Sequence, residues 1–492
     1  MKLNQLFSKY KFYKTTNPIE DIVVHGIEKD SRQVKEGDLF ICIKGYTVDG
    51  HHFVNQAVEN GACAIVAERP IHANVPVIYV SNTTKTLAYL ANQYYDHPSR
   101  DLRLIGITGT NGKTTMTYLL DEIFRHYEEK TGVIGTIQMK IGDEIIPVKN
   151  TTPDALFLQK SFREMVDNNV STAIMEVSSH ALDMGRVYGS DYDIAVYTNL
   201  SQDHLDYHRS MEDYLRAKTL LFSQLGNHYT GRPKFAVVNV DDPYHDTFSK
   251  STPYEVLTYG IKEVADVRGV DISLTAKGSS FTMETPKGNV QINSPLPGEF
   301  SVYNMLAATA TALCADIPLH IIKASLETTN GVPGRFETVD EGQEFGVIVD
   351  YAHTPDSLEN VLKTIGHFVE GKVYVVVGCG GDRDKTKRPQ MAKVATDIAD
   401  VAIFTSDNPR TEDPKNILND MVEGITNENY VVEQDRKKAI ELAIKSANQG
   451  DVVLVAGKGH ETYQEIGKER LPFNDRLVAQ EAIKAKLKEN PK

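Results

Sequence analysis

At 492 residues the chain is long enough for about three domains, and 41% hydrophobic with 24% charged residues describes globular domains with cores of their own. A net charge of −14 excludes a sequence-independent nucleic-acid surface and argues against membrane insertion or binding to anionic lipid. The four cysteines (Cys42, Cys63, Cys314, Cys379) show neither metal spacing nor a disulfide framework, and residues 1–14 lack an apolar signal core, so a reducing cytoplasm is expected.

Residues 1–100 hold short strands such as 39–43 and 64–67, and end at the breaker His97-Pro98-Ser99-Arg100. His51-His52 in this block has no evident partner and reads as surface. Over 101–332, β-rich apolar runs alternate with helical periodicities, the mark of parallel α/β architecture. Within that block, residues 266–296 alternate around turns at Lys277-Gly278 and Lys287-Gly288 and predict a small antiparallel insertion. Gly331-Val332-Pro333-Gly334 marks the next boundary. Over 333–492 the alternation restarts, with strands predicted at 347–349, 373–377, 402–405 and 452–455. The expected fold is α/β in three domains: a small N-terminal α/β domain, a central P-loop-type parallel-sheet ATPase domain and a C-terminal Rossmann-like domain.

The strand predicted at 104–108 runs into Gly109-Thr110-Asn111-Gly112-Lys113-Thr114-Thr115, and helical periodicity follows at Met116, Leu119, Leu120, Ile123 and Phe124. Glycines let backbone N–H groups turn towards phosphate oxygens, and a helix N-terminus adds positive potential. Lys113 would reach the β- and γ-phosphates, with the Thr114 hydroxyl on Mg²⁺. The common spacing asks for Gly at 107, where Ile107 stands.

Other polar clusters also lie just past strand ends, where open α/β sheets bind ligands. Glu176 and Ser178 follow one strand; Asn199, Asp203 and His204 follow another. Asp350 and His353, Arg383, Asp407 to Arg410, and Gly457 to Glu461 do so in the last block. Two such sheets suggest two sites facing one cleft. Glu176 could complete a Mg²⁺ shell, whereas Asp203-His204-Leu205-Asp206-Tyr207-His208 reads as a metal cluster or as a polar loop solvating itself. Lys218 occupies the apolar stripe of Met211, Tyr214, Leu215, Leu221, Phe222 and Leu225. It either snorkels outward or has its pKa lowered by desolvation and takes up CO₂ as a carbamate; periodicity alone favours snorkelling. Ser178-Ser179-His180 lacks the G-x-S-x-G of a serine hydrolase, and Cys379 reads as a half-buried filler. Arg383 and Arg410 offer guanidinium forks for carboxylates, or are turn arginines.

Across nearly the whole chain the sequence resembles the Mur ligase family of cell-wall amino-acid ligases. The match rests on residues 109–115 as the nucleotide loop and on Glu176, His204 and Lys218 at the metal positions. The resemblance implies that Lys218 is carbamylated, that Thr114, Glu176, His204 and Lys218 hold Mg²⁺ or Mn²⁺, and that Asn304, Arg335 and Asp350 complete the ATP site. It implies that Asp30-Ser31-Arg32, Tyr46 and Thr47 bind the uridine end of a UDP-MurNAc-L-Ala-D-Glu substrate. Asn150, Thr151, Thr152, Ser178 and Arg186 would bind its muramoyl-peptide end. Asp407, Asn408, Pro409 and Arg410 resemble the loop version that admits meso-diaminopimelate, which lysine-adding members lack, and Gly457 and Glu461 would complete that pocket together with Arg383. The implied activity is ATP-driven amide formation through an acyl phosphate, in peptidoglycan precursor synthesis.

The residues fit that chemistry. Two anions, a carboxylate and the γ-phosphate, must meet, so Lys113 and metal ions are needed to neutralise them. A diamino acid with a distal carboxylate needs an anchor, for which Arg410 is the evident fork. Competing readings are a lysine-adding Mur ligase, a folylpolyglutamate synthetase sharing the nucleotide loop, and a nucleotide-gated binding module without catalysis. Oligomeric state leaves no signature, and a monomer is assumed.

Overall fold

The computed structural model describes the chain except residues 46–47, 149, 205–206, 226–230, 276–277, 330 and 490–492. The chain forms two compact units, Met1–Thr258 and Tyr259–Lys492.

The first unit carries two sheets. Strands β1 (Lys14–Thr15), β2 (Gly26–Glu28), β3 (Asp38–Ile41), β4 (Ala64–Ala67) and β5 (Val77–Tyr79) order as β1-β5-β4-β3-β2, parallel except for β1. In β3, Leu39 and Ile41 enter one core while Phe40 enters the other, so both faces are covered. The helix Thr83–Tyr94, capped by the Asn82 side chain, packs on this sheet and against the helix Ala155–Asp167 of the second layer. That contact fastens the two layers, and the Lys29 ammonium adds a 2.8 Å bond to Asp154.

The second sheet of this unit comprises β6 (Arg103–Thr108), β7 (Thr131–Ile134), β8 (Met139–Ile141), β9 (Glu144–Ile146), β10 (Thr172–Glu176), β11 (Ile194–Tyr197) and β12 (Phe235–Asn239). Its order is β12-β11-β6-β10-β7-β8-β9, parallel from β12 to β7, with β8 and β9 antiparallel. The first strand, β6, lies between β10 and β11, so the order reverses there and a crevice opens at the carboxyl end of β6. The phosphate loop begins at that point. The unit boundary falls inside β13 (Glu255–Gly260).

In the second unit, β14 (Val267–Thr275), β15 (Gly278–Glu284) and β16 (Val290–Ser294) pair antiparallel, as the alternation at 266–296 predicts. Of the turn residues named there, Lys277 lies outside the described residues. Then β17 (Glu337–Thr338), β18 (Gly346–Asp350), β19 (Val373–Val377), β20 (Val401–Phe404), β21 (Tyr430–Val432) and β22 (Val452–Ala456) order as β17-β18-β22-β19-β20-β21. All neighbours are parallel except β17 and β18. Alternate residues of β22 feed two cores: Val452, Leu454 and Ala456 one, Val453 and Val455 the other. That continuous burial explains why these strands read as unbroken apolar runs. A separate hairpin, β23 (Tyr463–Ile466) with β24 (Glu469–Pro472), follows β22. No described helix is long and apolar enough to cross a membrane.

Candidate active site

The phosphate loop is held open by two glycines in the left-handed region. Gly109 has φ +150 and Gly112 φ +87, and a Cβ on Gly109 would lie 1.8 Å from Thr198 Oγ1. The loop is pinned from β11: Thr198 Oγ1 donates to Asn111 O at 2.6 Å, and Asn111 N donates to Asn199 Oδ1 at 3.0 Å. Thr110 N donates to Asn199 O, and Thr110 Oγ1 meets Tyr214 OH at 3.1 Å. Lys113 opens the helix Lys113–His126, and its ammonium bonds Gly109 O (2.9 Å) and Thr110 O (2.7 Å). Thr115, two residues into the same helix, completes the motif.

Glu176, at the end of β10 and 1% exposed, gathers the next layer. Its Oε1 accepts from Thr114 Oγ1 (3.0 Å) and from Thr136 N (2.8 Å), and its Oε2 accepts from Thr136 Oγ1 (3.0 Å). A Cβ at Gly135 would fall 2.6 Å from Oε1, so the close approach requires glycine there. Thr136 Oγ1 in turn meets Thr151 Oγ1 at 3.0 Å, and Thr152 Oγ1 donates to Glu176 O. Ser178 N donates to Thr152 Oγ1, and Arg186 Nη1 donates to Thr152 O at 3.2 Å. Thr151 is thereby linked to the phosphate loop through the Glu176 carboxylate, and Thr152, Ser178 and Arg186 through the Glu176 backbone carbonyl. Asn150 beside them is exposed.

Lys218, on the helix Met211–Ser223, does not snorkel: it is 1% exposed. Its ammonium donates to Gly109 O at 2.7 Å, over the Tyr214 ring at 4.5 Å. Burial, then the charge of Lys113, pushes its pKa well below the usual lysine value. The expectation of an outward lysine fails because the loop carbonyl lies against this helix face, so the amine finds a partner inside. His204 stands in the left-handed region at φ +55, with Nε2 3.4 Å from Asp203 Oδ2 and its ring edge-on to His180 and to Tyr214. Among the described residues no group of three or more His, Cys, Asp and Glu gathers as a metal cluster, and Asp206 lies outside them. The donor set around Glu176 still suits Mg²⁺, because Thr114 and Glu176 supply hard oxygen ligands side by side. Thr108 Oγ1, at the end of β6 where the phosphate loop begins, is buried without a hydrogen bond among the described residues.

In the first sheet, Ser31 Oγ donates to Gln56 Oε1 (2.7 Å) and Asp30 pairs with Arg32, while Tyr46 and Thr47 lie outside the described residues. His51 is a correction to the surface reading: it is buried, its Nδ1 2.6 Å from Asp49 Oδ1, and its Nε2 accepts from Glu68 N. Ser179, read as one serine of an implausible hydrolase, is buried against His208 Nε2 at 2.9 Å, and Ser178 caps its helix.

The second unit gathers its own cluster at the carboxyl ends of β18, β19, β20 and β22. Asp350 is buried and accepts from Phe336 N and Ala352 N, each at 2.7 Å; burial raises its pKa, offset by Arg335 and these bonds. Arg335 lies over the Tyr351 ring at 4.6 Å, and Asn304 is buried on the helix Glu299–Cys314. Gly457, at φ +113, abuts Asp407: a Cβ would meet Oδ2 at 2.9 Å. Asn408 Nδ2 donates to Glu461 Oε2 at 2.9 Å, and Lys458, fully buried, donates to Asn408 Oδ1 (2.9 Å) and Glu461 Oε2 (2.8 Å). Pro409 O accepts from Glu412 N. Arg410 Nε bonds Glu465 Oε2 at 2.9 Å and Nη1 bonds Gly381 O at 2.8 Å. Arg383 is exposed and donates to the Asp382 carbonyl next to it at 3.1 Å. Burial pushes the Cys379 thiol up to about 12, as suits a filler.

Sequence reasoning missed Thr136, Thr108, Thr198 and Lys458. Each sits at or just past a strand end, so the rule that located Glu176 could have found them. Glu465 and Gln464 on the hairpin carry no such signal.

Three family models match the chain: Mur ligase family, catalytic domain, over residues 23–95; Mur ligase middle domain over 107–312; and Mur ligase, glutamate ligase domain, over 334–459. A UDP-N-acetylmuramoyl-L-alanyl-D-glutamate–2,6-diaminopimelate ligase of Bacillus cereus is 57% identical over 488 residues, 99% of each chain. The protein of that name from Oceanobacillus iheyensis is 55% identical over 491 residues, 99% of this chain and 100% of the relative. A solved structure of an enzyme of that name superposes with a TM-score of 0.73 at 35% identity, covering 99% of both chains.

Proposed function

This chain belongs to the Mur ligase family, and from that premise we propose that it joins meso-2,6-diaminopimelate to UDP-N-acetylmuramoyl-L-alanyl-D-glutamate with ATP as the driving substrate. The observation that carries the reading is the Glu176 carboxylate. It bonds Thr114 of the phosphate loop and Thr136 together, and Thr136 reaches Thr151, so nucleotide and acceptor residues form one network.

The chemistry follows from that arrangement. A carboxylate is a poor electrophile, so the D-glutamyl carboxylate takes the γ-phosphoryl group and becomes an acyl phosphate, releasing ADP. The amine then displaces phosphate. Lys113 neutralises the phosphates as they approach the second anion. Thr114 and Glu176, with His204 and Lys218, would hold Mg²⁺ or Mn²⁺, which supplies charge neutralisation for phosphoryl transfer. Lys218 shares the Gly109 carbonyl oxygen with Lys113, so a protonated amine there is opposed by both burial and like charge. A carbamate on Lys218 removes that conflict and adds oxygen donors. Thr151, Thr152, Ser178 and Arg186 orient the peptide carboxylate; Ser31, Tyr46, Thr47 and Asn150 take the rest of the sugar nucleotide. Asn304, Arg335 and Asp350 serve the nucleotide. Asn408, Arg410 and Glu461 grip the diamino acid, with Asp407, Pro409 and Gly457 shaping the loop and Arg383 at its rim.

Purified protein given Mg²⁺, ATP, the UDP-dipeptide and diaminopimelate is expected to release ADP and phosphate in step with amide product. Absence of product with diaminopimelate, or equal turnover with lysine, overturns the assignment.

A further inference from the structure

The hairpin of β23 and β24 is stitched to the Asp407–Arg410 loop along its edge. Gln464 Nε2 donates to Asp407 O (2.6 Å), and Glu465 N donates to Asn408 Oδ1 (2.9 Å). Arg410 N donates to Glu465 O (3.0 Å), and Gly467 N donates to Arg410 O (2.7 Å), forming a bridge between Arg410 and Ile466. Arg410 stands in the left-handed region at φ +51, a conformation a non-glycine residue keeps only when its surroundings hold it. These bonds to the hairpin hold it.

Glu465 makes two of these four bonds. Its N–H and C=O fix the loop backbone and the Asn408 amide. Its carboxylate takes Arg410 Nε on Oε2 and Arg470 Nε on Oε1 (3.0 Å). With Nε on Glu465 and Nη1 on Gly381 O, the guanidinium plane is fixed at two points, and Nη2 makes no hydrogen bond among the described residues. A planar guanidinium held at Nε and Nη1 leaves its Nη2 donors aimed for a carboxylate.

We propose that Glu465 is a specificity-positioning residue: it sets the aim of the Arg410 fork, and so the preference for an amino acid bearing a second carboxylate. This rests on the diaminopimelate reading above. The test is a double-mutant cycle of Glu465→Ala and Arg410→Ala, with KM for diaminopimelate, KM for ATP and kcat each measured. Glu465→Ala keeps both backbone bonds. It is expected to raise KM for diaminopimelate about tenfold, with KM for ATP and kcat within about twofold. Glu465→Gln, which keeps an acceptor, is expected to fall between wild type and Ala. In the Arg410→Ala background, Glu465→Ala should add less than about twofold. An equal rise in that background, or a parallel rise in KM for ATP, overturns the proposal, and so does an unchanged KM for diaminopimelate in Glu465→Ala. Failure of the wild-type protein to use diaminopimelate at all sinks the parent reading instead, and is seen before any variant is made.

Discussion

The phosphate loop and the Asp407–Arg410 loop both follow parallel strands, yet they treat charge in opposite ways. At the first, two lysine side chains, Lys113 and Lys218, meet on one carbonyl oxygen, where burial and the charge of Lys113 disfavour a second ammonium. At the second, cations meet carboxylates: Lys458 with Glu461, Arg410 with Glu465, and, behind the loop, Arg436 with Asp475. The Lys113 ammonium at its helix N-terminus suits a site where negative charge must accumulate. Balanced, cross-braced pairs suit a site that reads the shape of a zwitterion, where a misplaced charge is left without a partner. On the proposed function, the first region serves rate and the second choice.

The comparison breaks most visibly at Lys113. Lys113→Ala is expected to lower kcat/KM about 10³-fold, with a melting temperature close to wild type, because the bonds from its ammonium to the Gly109 and Thr110 carbonyls lie within one short loop. Steady-state ADP release measures it; a loss under tenfold would deny the first region its role. Lys218→Ala comes next. A loss of about 10²-fold is expected, by analogy with removing one oriented oxygen ligand, with partial recovery on adding acetate or another short carboxylic acid. No recovery would turn Lys218 from a carbamate into a plain buried lysine.

At the second region the expected effect moves from rate to selectivity. Arg410→Ala should lower the preference for diaminopimelate over lysine by about 10-fold to 100-fold, leaving KM for ATP unchanged. An unaltered ratio of the two kcat/KM values would remove Arg410 from recognition.

These contrasts also explain what the sequence could disclose. The phosphate loop was legible because its frame is local: Gly109, Gly112 and Lys113 sit within five positions, between an apolar strand and a periodic helix. The antiparallel insertion and the strands at 64–67 and 373–377 were legible through period-two or unbroken apolar runs. Lys218 was misjudged by periodicity, since a helical stripe says which face a residue takes but not that a loop carbonyl 109 residues away awaits it. His51 failed likewise, its partners being Asp49 and the Glu68 backbone across the sheet end. Around the Asp407–Arg410 loop the residues are located by their place past strand ends and given a ligand through resemblance, but their braces are not. Lys458, Gln464 and Glu465 act across separations of 50, 57 and 55 residues, and no motif spacing encodes that.

The smallest effect sharpens the contrast through acid. Arg388, 1% exposed, is buried beneath the loop that follows β19. It donates to both Glu412 oxygens (2.8 and 3.1 Å), to Asp420 and to Gly380 O. Glu412 also accepts from Asp382 N at 2.6 Å. The Arg388 bond, then that backbone bond, hold the Glu412 pKa at about 2 against the ordinary 4.5. A carboxylate depressed in the folded state contributes stability that is full above 4.5 and is lost as pH falls towards 2. The second unit should therefore lose stability over that window through its salt-braced loop, whereas the phosphate loop, held by carbonyls and hydroxyls, has no such carboxylate–guanidinium brace among the described residues. Glu412→Gln should melt a few degrees below wild type at pH 7, with the gap closing as pH drops from 4.5 towards 2. Melting curves of both proteins at half-unit pH steps measure it, and a gap that stays constant across that window would mean the Arg388–Glu412 charge pair contributes nothing.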